Sequence, residues 1–282
     1  MEKITILHPG QMGVSIAASA KNGGNAVYWV SDGRSLETRV RAEQQGLIEI
    51  GSVAEAAAVS TIIISVCPPH AAEIVAEQVI AAGFRGLFVD ANAISPQRAG
   101  RIGAMMTAAN AAFVDGGIIG GPAWEPNRTW LYLSGVESER VAACFSNGPL
   151  EVEAIGVEAG KASALKMCFA AYTKGATALL CGILATAESL SVREDLERHW
   201  SRNGSNFAVE TAERVRRVTA KAWRFAGEME EIAATFELAG LPGGFHYAAA
   251  DIYRRMAHFK GAEETPDLGT VLEALQNQPK NY

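Results

Sequence analysis

The sequence predicts an α/β protein, a doubly wound parallel sheet followed by an all-helical region, and three observations carry that prediction. Short β-rich runs alternate with small-residue helical stretches through the first half, as in a parallel sheet wrapped by helices. Several of those runs are almost wholly apolar, as strands covered on both faces must be. After about residue 158 no β-rich run of comparable quality follows, and the chain reads as helices.

Taken in order, strands are expected at 4–7, 26–30, 61–66, 86–90 and 112–114, then at 130–133 and 151–155. Helices are expected at 13–21, 35–45, 71–82 and 96–110. Two breaks rich in turn formers, Arg202-Asn203-Gly204-Ser205-Asn206 and Gly240-Leu241-Pro242-Gly243-Gly244, divide the helical part. Only the tail after Gly261 reads as loose. At 282 residues the chain is long for one core, so two domains are expected, 1–157 and 158–282.

Composition narrows the function classes. A net charge of -6, with no long block of Lys and Arg, repels a phosphate backbone and argues against nucleic acid as a partner. Cys67, Cys144, Cys168 and Cys181 form no C-x-x-C, and the five histidines form no ligand spacing. Neither a metal site nor a disulfide framework is expected, and a reducing compartment fits. A strand pattern opens at residue 3 without a basic, apolar and small-residue leader, so a cytoplasmic location is expected. The apolar stretch 169–190 is about long enough to cross a bilayer. Lys174 and Glu188 within it, its many small residues and its missing anchors favour a helix buried within or between subunits over a membrane span.

The stretch His8-Pro9-Gly10-Gln11-Met12-Gly13 follows the first strand and reads as G-x-G-x-x-G with histidine at the first glycine. In a dinucleotide site the first glycine permits a tight turn, the second admits the pyrophosphate to the backbone, and the third lets helix and strand pack closely. Gly10 and Gly13 keep the second and third roles, and the helix starting near Met12 can aim its N-terminus at a phosphate. The next strand ends at Ser31-Asp32-Gly33-Arg34-Ser35, about twenty residues on, where such folds read the adenosine ribose. An acid there, Asp32, favours the free 2'-hydroxyl of NAD; Arg34 and Ser35 favour the 2'-phosphate of NADP. From these residues alone the choice stays open, as does a plain strand-turn-helix corner.

Five stretches in order resemble one family: ITILHPGQMG (4–13), SVCPP (65–69), FVDANAISP (88–96), FVDGGIIGGP (113–122) and GKASALKM (160–167). Together they resemble the β-hydroxyacid dehydrogenases, which include 3-hydroxyisobutyrate and tartronate semialdehyde reductases and are related to 6-phosphogluconate dehydrogenase. Asp32-Gly33-Arg34-Ser35, Asn92 before Ile94-Ser95-Pro96, and Tyr172-Thr173-Lys174-Gly175 after ALKM resemble a narrower, NADP-binding branch with its own C-terminal helical domain.

The resemblance implies an N-terminal Rossmann domain, a long interdomain helix, a helical substrate and dimerisation domain, and a homodimer or dimer of dimers. It implies NADP(H), with NAD(H) as the alternative, bound by Gly10, Gln11, Met12 and Gly13, by Asp32, Arg34 and Ser35, and by Val66, Cys67, Pro68 and Asn92. The lysine of GKASALK that matches the family's general acid/base is Lys166, a role that calls for an amine whose pKa burial has brought down. Asn92 is expected beside the nicotinamide ribose or the substrate, and Ser163, one turn before Lys166, to orient substrate or lysine. Lys161 and Lys174 are expected in surface or structural roles. Gly120 and Gly121 match a pair lining the substrate pocket. The family's serine before that pair is Ile119 here, and its asparagine four residues after the lysine is Ala170. Two polar substrate contacts are thus replaced, which leaves room for a larger or less polar carbonyl compound, lined by Trp124, Phe245 or His246.

The expected activity is hydride transfer between nicotinamide cofactor and a small hydroxy acid or carbonyl compound, with Lys166 moving the proton. Two alternatives remain at this point. One is imine reduction by the same two-domain plan, in a related group that generally lacks this lysine. The other is a non-catalytic NADP-binding sensor.

Overall fold

The computed structural model describes residues 1–277. By contacts the chain divides into two units, Met1–Met167 and Cys168–Tyr282.

The first unit carries β1 (Lys3–Ile6), α1 (Gln11–Asn22), β2 (Ala26–Val30), α2 (Leu36–Gln44), β3 (Ile48–Ile50), α3 (Val53–Val59), β4 (Ile62–Ser65), α4 (Ala72–Ala81), β5 (Leu87–Asp90) and α5 (Pro96–Ala108). Then follow β6 (Ala112–Gly120), β7 (Thr129–Ser134), α6 (Ser138–Ala143), β8 (Glu151–Ala154) and the start of α7 (Lys161–Ala170). One eight-stranded sheet results, in the order β3-β2-β1-β4-β5-β6-β7-β8. Every ladder is parallel except β6 with β7. The strand order reverses between β1 and β4, and ligands of open α/β sheets bind at the carboxyl ends of the strands flanking such a reversal.

Alternation along the apolar strands divides the core. Ile4, Ile6, Ile62, Ile64 and Trp29 pack on one face with Val14 and Ile16 of α1. Leu7, Val30, Ile63 and Phe88 pack on the other with Val75 and Val79 of α4. Each such side chain contributes about 1.5–3 kcal/mol on burial, and both faces are filled, so the runs carry no polar alternation.

Three departures from the sequence expectation have local causes. β6 runs on to Gly120 rather than ending at Val114, because Asp115-Gly116-Gly117 is strand, not turn, paired with Ser134-Leu133-Tyr132. Its glycines answer close approach: a Cβ on Gly116 would lie 3.1 Å from the Asp90 carbonyl oxygen. β3 and α3 were not expected. β3 is a short, largely exposed Ile-Glu-Ile segment with little apolar signal. α3 did carry a signal, the capping box Ser52-Val53-Ala54-Glu55: the Glu55 amide donates to Ser52 Oγ (3.2 Å) and the Gly51 amide to Glu55 Oε2 (2.9 Å).

The second unit continues α7 through a π turn (Ala171–Gly175) into α8 (Ala176–Ser189), then α9 (Arg193–Trp200), α10 (Phe207–Leu238), α11 (Gly244–Arg255) and α12 (Leu268–Gln276). Both turn-rich breaks fall between helices. The tail expected to be loose holds α12: Asp267 Oδ1 accepts the Thr270 amide at 3.0 Å, and Val271, Leu272 and Leu275 are buried. The π turn frees carbonyls that side chains then satisfy. Arg214 donates to the Thr173 oxygen (2.8 Å) and the Tyr253 hydroxyl to that of Lys174 (2.7 Å). Lys174 pairs with Glu228, both side chains nearly buried, over the Phe225 ring. The helix Lys161–Ser189 is long and apolar enough to cross a membrane by length and composition, yet it holds this ion pair.

Candidate cofactor and active site

At the end of β1 the chain turns through Pro9 and Gly10. Gly10 is the N-cap of α1, in extended conformation (φ -65°, ψ -173°), with no side-chain cap on the helix. A Cβ on Gly10 would meet nothing within 4 Å, whereas one on Gly13 would lie 2.1 Å from the His8 carbonyl oxygen. The first glycine leaves its backbone open to a ligand and the second allows α1 to press on β1, the two roles a pyrophosphate loop demands. Gln11 is exposed, and Met12 packs partly buried against the sheet core.

His8 is held neutral: burial, then the nearby Arg34 charge, lowers its pKa to about 4. Its Nδ1 and the Nε of Arg34 are both buried without a hydrogen-bond partner. Asp32 lies close enough to raise the Arg34 pKa against the larger, lowering effect of burial. Ser35 caps α2, its Oγ accepting the Thr38 amide at 3.4 Å. An open glycine, an uncapped helix start and two orphaned nitrogens at and beside the 32–35 turn fit a dinucleotide.

Across the strand reversal, Val66, Cys67 and Pro68 follow β4. The Asn92 side chain ties this turn to β5: its Oδ1 accepts the Cys67 amide, and its Nδ2 donates to Asp90 Oδ2 (2.9 Å) and Ser65 Oγ (3.3 Å). Both amide hydrogens are thus engaged, leaving a lone pair of Oδ1 for any ligand. Burial pushes the Cys67 thiol up to about 11, so it is no nucleophile at neutral pH.

Lys166 stands on α7 directly against β6. A Cβ on Gly117 would lie 2.6 Å from the Ala162 carbonyl oxygen and 3.0 Å from Lys166 Cβ. Gly117, overlooked in the sequence, is therefore what lets the helix carrying Lys166 approach the sheet; glycine within a β run is the signal that could have found it. Lys166 itself is half-buried. Ser163 is fully buried, and its hydroxyl donates to Asp115 Oδ1 at 2.5 Å. That hydroxyl is bonded to the strand carboxylate at the start of α7.

Ile119 is half-buried near the end of β6. Gly120 has φ +126°, open to glycine, and its Cβ would strike the Arg128 carbonyl oxygen at 2.3 Å; Gly121 faces open space. The loop beyond is tied to α1 by Ser15, whose Oγ donates to the Met12 oxygen (2.8 Å) and accepts the Ala123 amide (2.9 Å). Ser15 too escaped the sequence reading. Trp124 lines a cavity of about 360 Å3 with Gln11, Arg41 and Gln44, beside the start of α1. In the second unit Ala170 is buried, Phe245 is half exposed, and His246 is packed against the Phe236 ring, 4.3 Å between centroids.

An open, mostly parallel sheet with a glycine loop at its reversal, a turn carrying Asp32 and Arg34 after β2, and a lysine set against the sheet defines a dinucleotide-binding Rossmann protein. Comparison with known proteins carries this further. Residues 3–146 match the NAD binding domain of 6-phosphogluconate dehydrogenase, and residues 187–256 match a domain of unknown function, DUF1932. The chain belongs to the first of these families, within the β-hydroxyacid dehydrogenase superfamily. Its cofactor is a nicotinamide dinucleotide.

A Methanothermus fervidus protein, an uncharacterized 28.5 kDa protein in the 7S RNA 5' region, is 29% identical over 58% of this chain; the chain spans 62% of that relative's length. Among solved structures, conserved protein MTH1747, described as structurally similar to 3-hydroxyacid dehydrogenases, is 26% identical with a TM-score of 0.63, covering 90% of this chain and 97% of that one. The 3-hydroxyisobutyrate dehydrogenase of Mycobacterium tuberculosis with L-serine is 20% identical with a TM-score of 0.70, covering 98% and 100%. Imine reductases share the fold at 15% identity and TM-scores of 0.53 to 0.55.

Proposed function

We propose that this protein is an NADP(H)-dependent oxidoreductase interconverting a small hydroxy acid and its carbonyl compound, with Lys166 as general acid/base. The observation that carries the reading is the seat of Lys166, a half-buried lysine on a helix pressed against the strand that ends at Gly120, just before Gly121. The cofactor supplies or accepts the hydride. Lys166 Nζ gives a proton to the carbonyl oxygen in reduction, or takes the hydroxyl proton in oxidation, a contribution of about 10²–10⁴ in rate.

Preference for NADP(H) rests on Arg34, whose unpartnered Nε and remaining guanidinium nitrogens suit a 2'-phosphate fork. Asp32 beside it favours NAD(H) and tempers the preference. Ile119 and Ala170 offer no polar contact to a carboxylate, so the substrate is less polar or larger than a short 3-hydroxy acid. Asn92 and the Val66-Cys67-Pro68 turn border the cofactor in this reading, and Ser163 orients the helix of Lys166.

A cytoplasmic homodimer through the helical region is part of the same proposal. Phe169, Tyr172 and Leu179, along α7, the π turn and α8, are 44, 75 and 50% exposed and offer an apolar stripe to a second copy. Titration of the protein with NADPH and NADH, followed by nicotinamide fluorescence, tests the cofactor: NADPH should bind more tightly, and Arg34→Ala should erase the difference. Equal affinities in the unaltered protein would refute it. A panel of aldehydes, ketones, hydroxy acids and cyclic imines in one NADPH assay separates this activity from imine reduction, which the shared fold supports, and from a sensor that binds without turnover.

A further inference from the structure

We infer that Asp115 is a positioning residue for the reaction: from within the sheet it fixes the first turn of α7 and so the place of Lys166, in one polar row that also holds Asn92. This rests on the reading of Lys166 given above.

The row is written in the strand register. Ser65 of β4 pairs with Asp90 of β5, Asp90 with Asp115 of β6, and Asp115 with Ser134 of β7. All four side chains are fully buried, a polar row across otherwise apolar strands: Ser65, Asp90 and Ser134 are the last residues of β4, β5 and β7, and Asp115 lies within β6. Each end of the row grips one part of the candidate site. On one side Ser65 and Asp90 take the Asn92 amide hydrogens, and Asp90 Oδ1 also accepts the Asn92 backbone amide (3.0 Å). On the other, Asp115 Oδ2 accepts the amides of Gly160 (3.0 Å) and Ser163 (2.9 Å) and the Ser134 hydroxyl (3.0 Å), while Oδ1 accepts the Ser163 hydroxyl. Ser134 Oγ in turn accepts the Ala162 amide (3.0 Å).

The start of a helix leaves backbone amides without partners, and a local Ser, Thr, Asp or Asn ordinarily takes one of them. Here Gly160, with φ +98°, can offer no side chain, and the amides of Gly160, Ala162 and Ser163 are taken by strand residues instead. A carboxylate at the positive end of the helix is the stable choice. Asp115 and Gly117 lie two apart on β6, hence on one face. The first anchors the helix start, and the second accepts the helix one turn later, where Lys166 Cβ would sit 3.0 Å from an added methyl. Anchor and seat together leave α7 little freedom to slide along the sheet.

The test uses the full-length protein with Asp115→Leu, Asp115→Asn and Ser163→Ala. Three quantities are read: kcat and KM on whichever substrate the panel reveals, NADPH affinity, and the rate at which acetic anhydride labels Lys166 relative to exposed Lys221, followed by mass spectrometry. Asp115→Leu should lower kcat by roughly 100-fold, the usual cost of misplacing a catalytic group by about 1 Å, without weakening NADPH, and should shift Lys166 labelling but not Lys221. Asp115→Asn keeps a carbonyl for the helix amides and an amide for the Ser163 hydroxyl, and should recover most of kcat. If Asp115→Leu does not fold, Ser163→Ala, which removes one bond and leaves the amide contacts, should show the same two changes in smaller measure.

Folded variants with unaltered kcat and unaltered Lys166 labelling would overturn the inference, as would a kcat lowered only in step with the folded fraction. Loss of the Lys166 role itself reads differently: Lys166→Met would then turn over normally, while the labelling shift in the Asp115 variants would still report that the carboxylate places the helix.

Discussion

Replacing Gly117 by alanine inserts one methyl group where α7 meets β6. The new Cβ would lie 2.6 Å from the Ala162 carbonyl oxygen, against an ordinary contact of 3.4 Å or more, and 3.0 Å from Lys166 Cβ. Neither neighbour is a flexible chain end, so the helix must retreat from the strand by about 0.8 Å, or the strand must bend. Overpacking of this kind costs about 1–3 kcal/mol, and in chains of this size each kcal/mol lowers the melting temperature by about 2–4 °C. A displacement approaching 1 Å at the proton-transferring group should also slow turnover by up to about 100-fold. Gly10 and Gly13 lie on another loop, so NADPH affinity should hold. Differential scanning fluorimetry, NADPH titration and steady-state kinetics read the three effects. Gly100→Ala is the control, since a Cβ there meets nothing within 4 Å, and on helix α5 alanine should be neutral or stabilising. A Gly117→Ala protein that melts and turns over like the parent would refute the packing argument.

Two further predictions concern buried charge. Burial first, and then the neighbouring Asp115, push the Asp90 carboxyl up from 3.8 to about 7. The folded chain therefore holds a proton there that the unfolded chain loses above about pH 4, so this group favours folding at low pH and opposes it progressively as pH rises to 7, by at most about 4 kcal/mol. Asp90→Asn should accordingly gain stability relative to the parent on going from pH 5 to pH 8; a melting difference independent of pH would contradict this. In the second unit, Lys174→Met leaves Glu228, whose side chain is 11% exposed, buried without its cation. It should cost about 3–5 kcal/mol, and Glu228→Leu added to it should recover much of the loss. A single variant as stable as the parent in urea would show the pair to be solvated.

The sequence made the parallel core plain because Ile62-Ile63-Ile64 and the Leu87–Asp90 strand must be covered on both faces to be so apolar. β3 escaped because its three residues lie at an exposed edge, where burial imposes no pattern. The second half of β6 escaped because glycine reads as turn unless one knows what presses on it, and the Ala162 carbonyl oxygen is distant in sequence. The same limit governs the site. The glycine loop, the Arg34 turn and Lys166 are local motifs with local chemistry. Asp115, Ser134 and Ser15 act through partners 19 to 108 residues away, and nothing in their immediate surroundings announces it.

Lys166 is the most direct point of test for the whole account. With deuterium at the transferable position of NADPH and the carbonyl panel as acceptors, the parent protein should deliver label to at least one product. Lys166→Met should bind NADPH with unchanged affinity and transfer the label about 10²–10⁴ more slowly. Transfer at the parental rate by Lys166→Met would contradict the account.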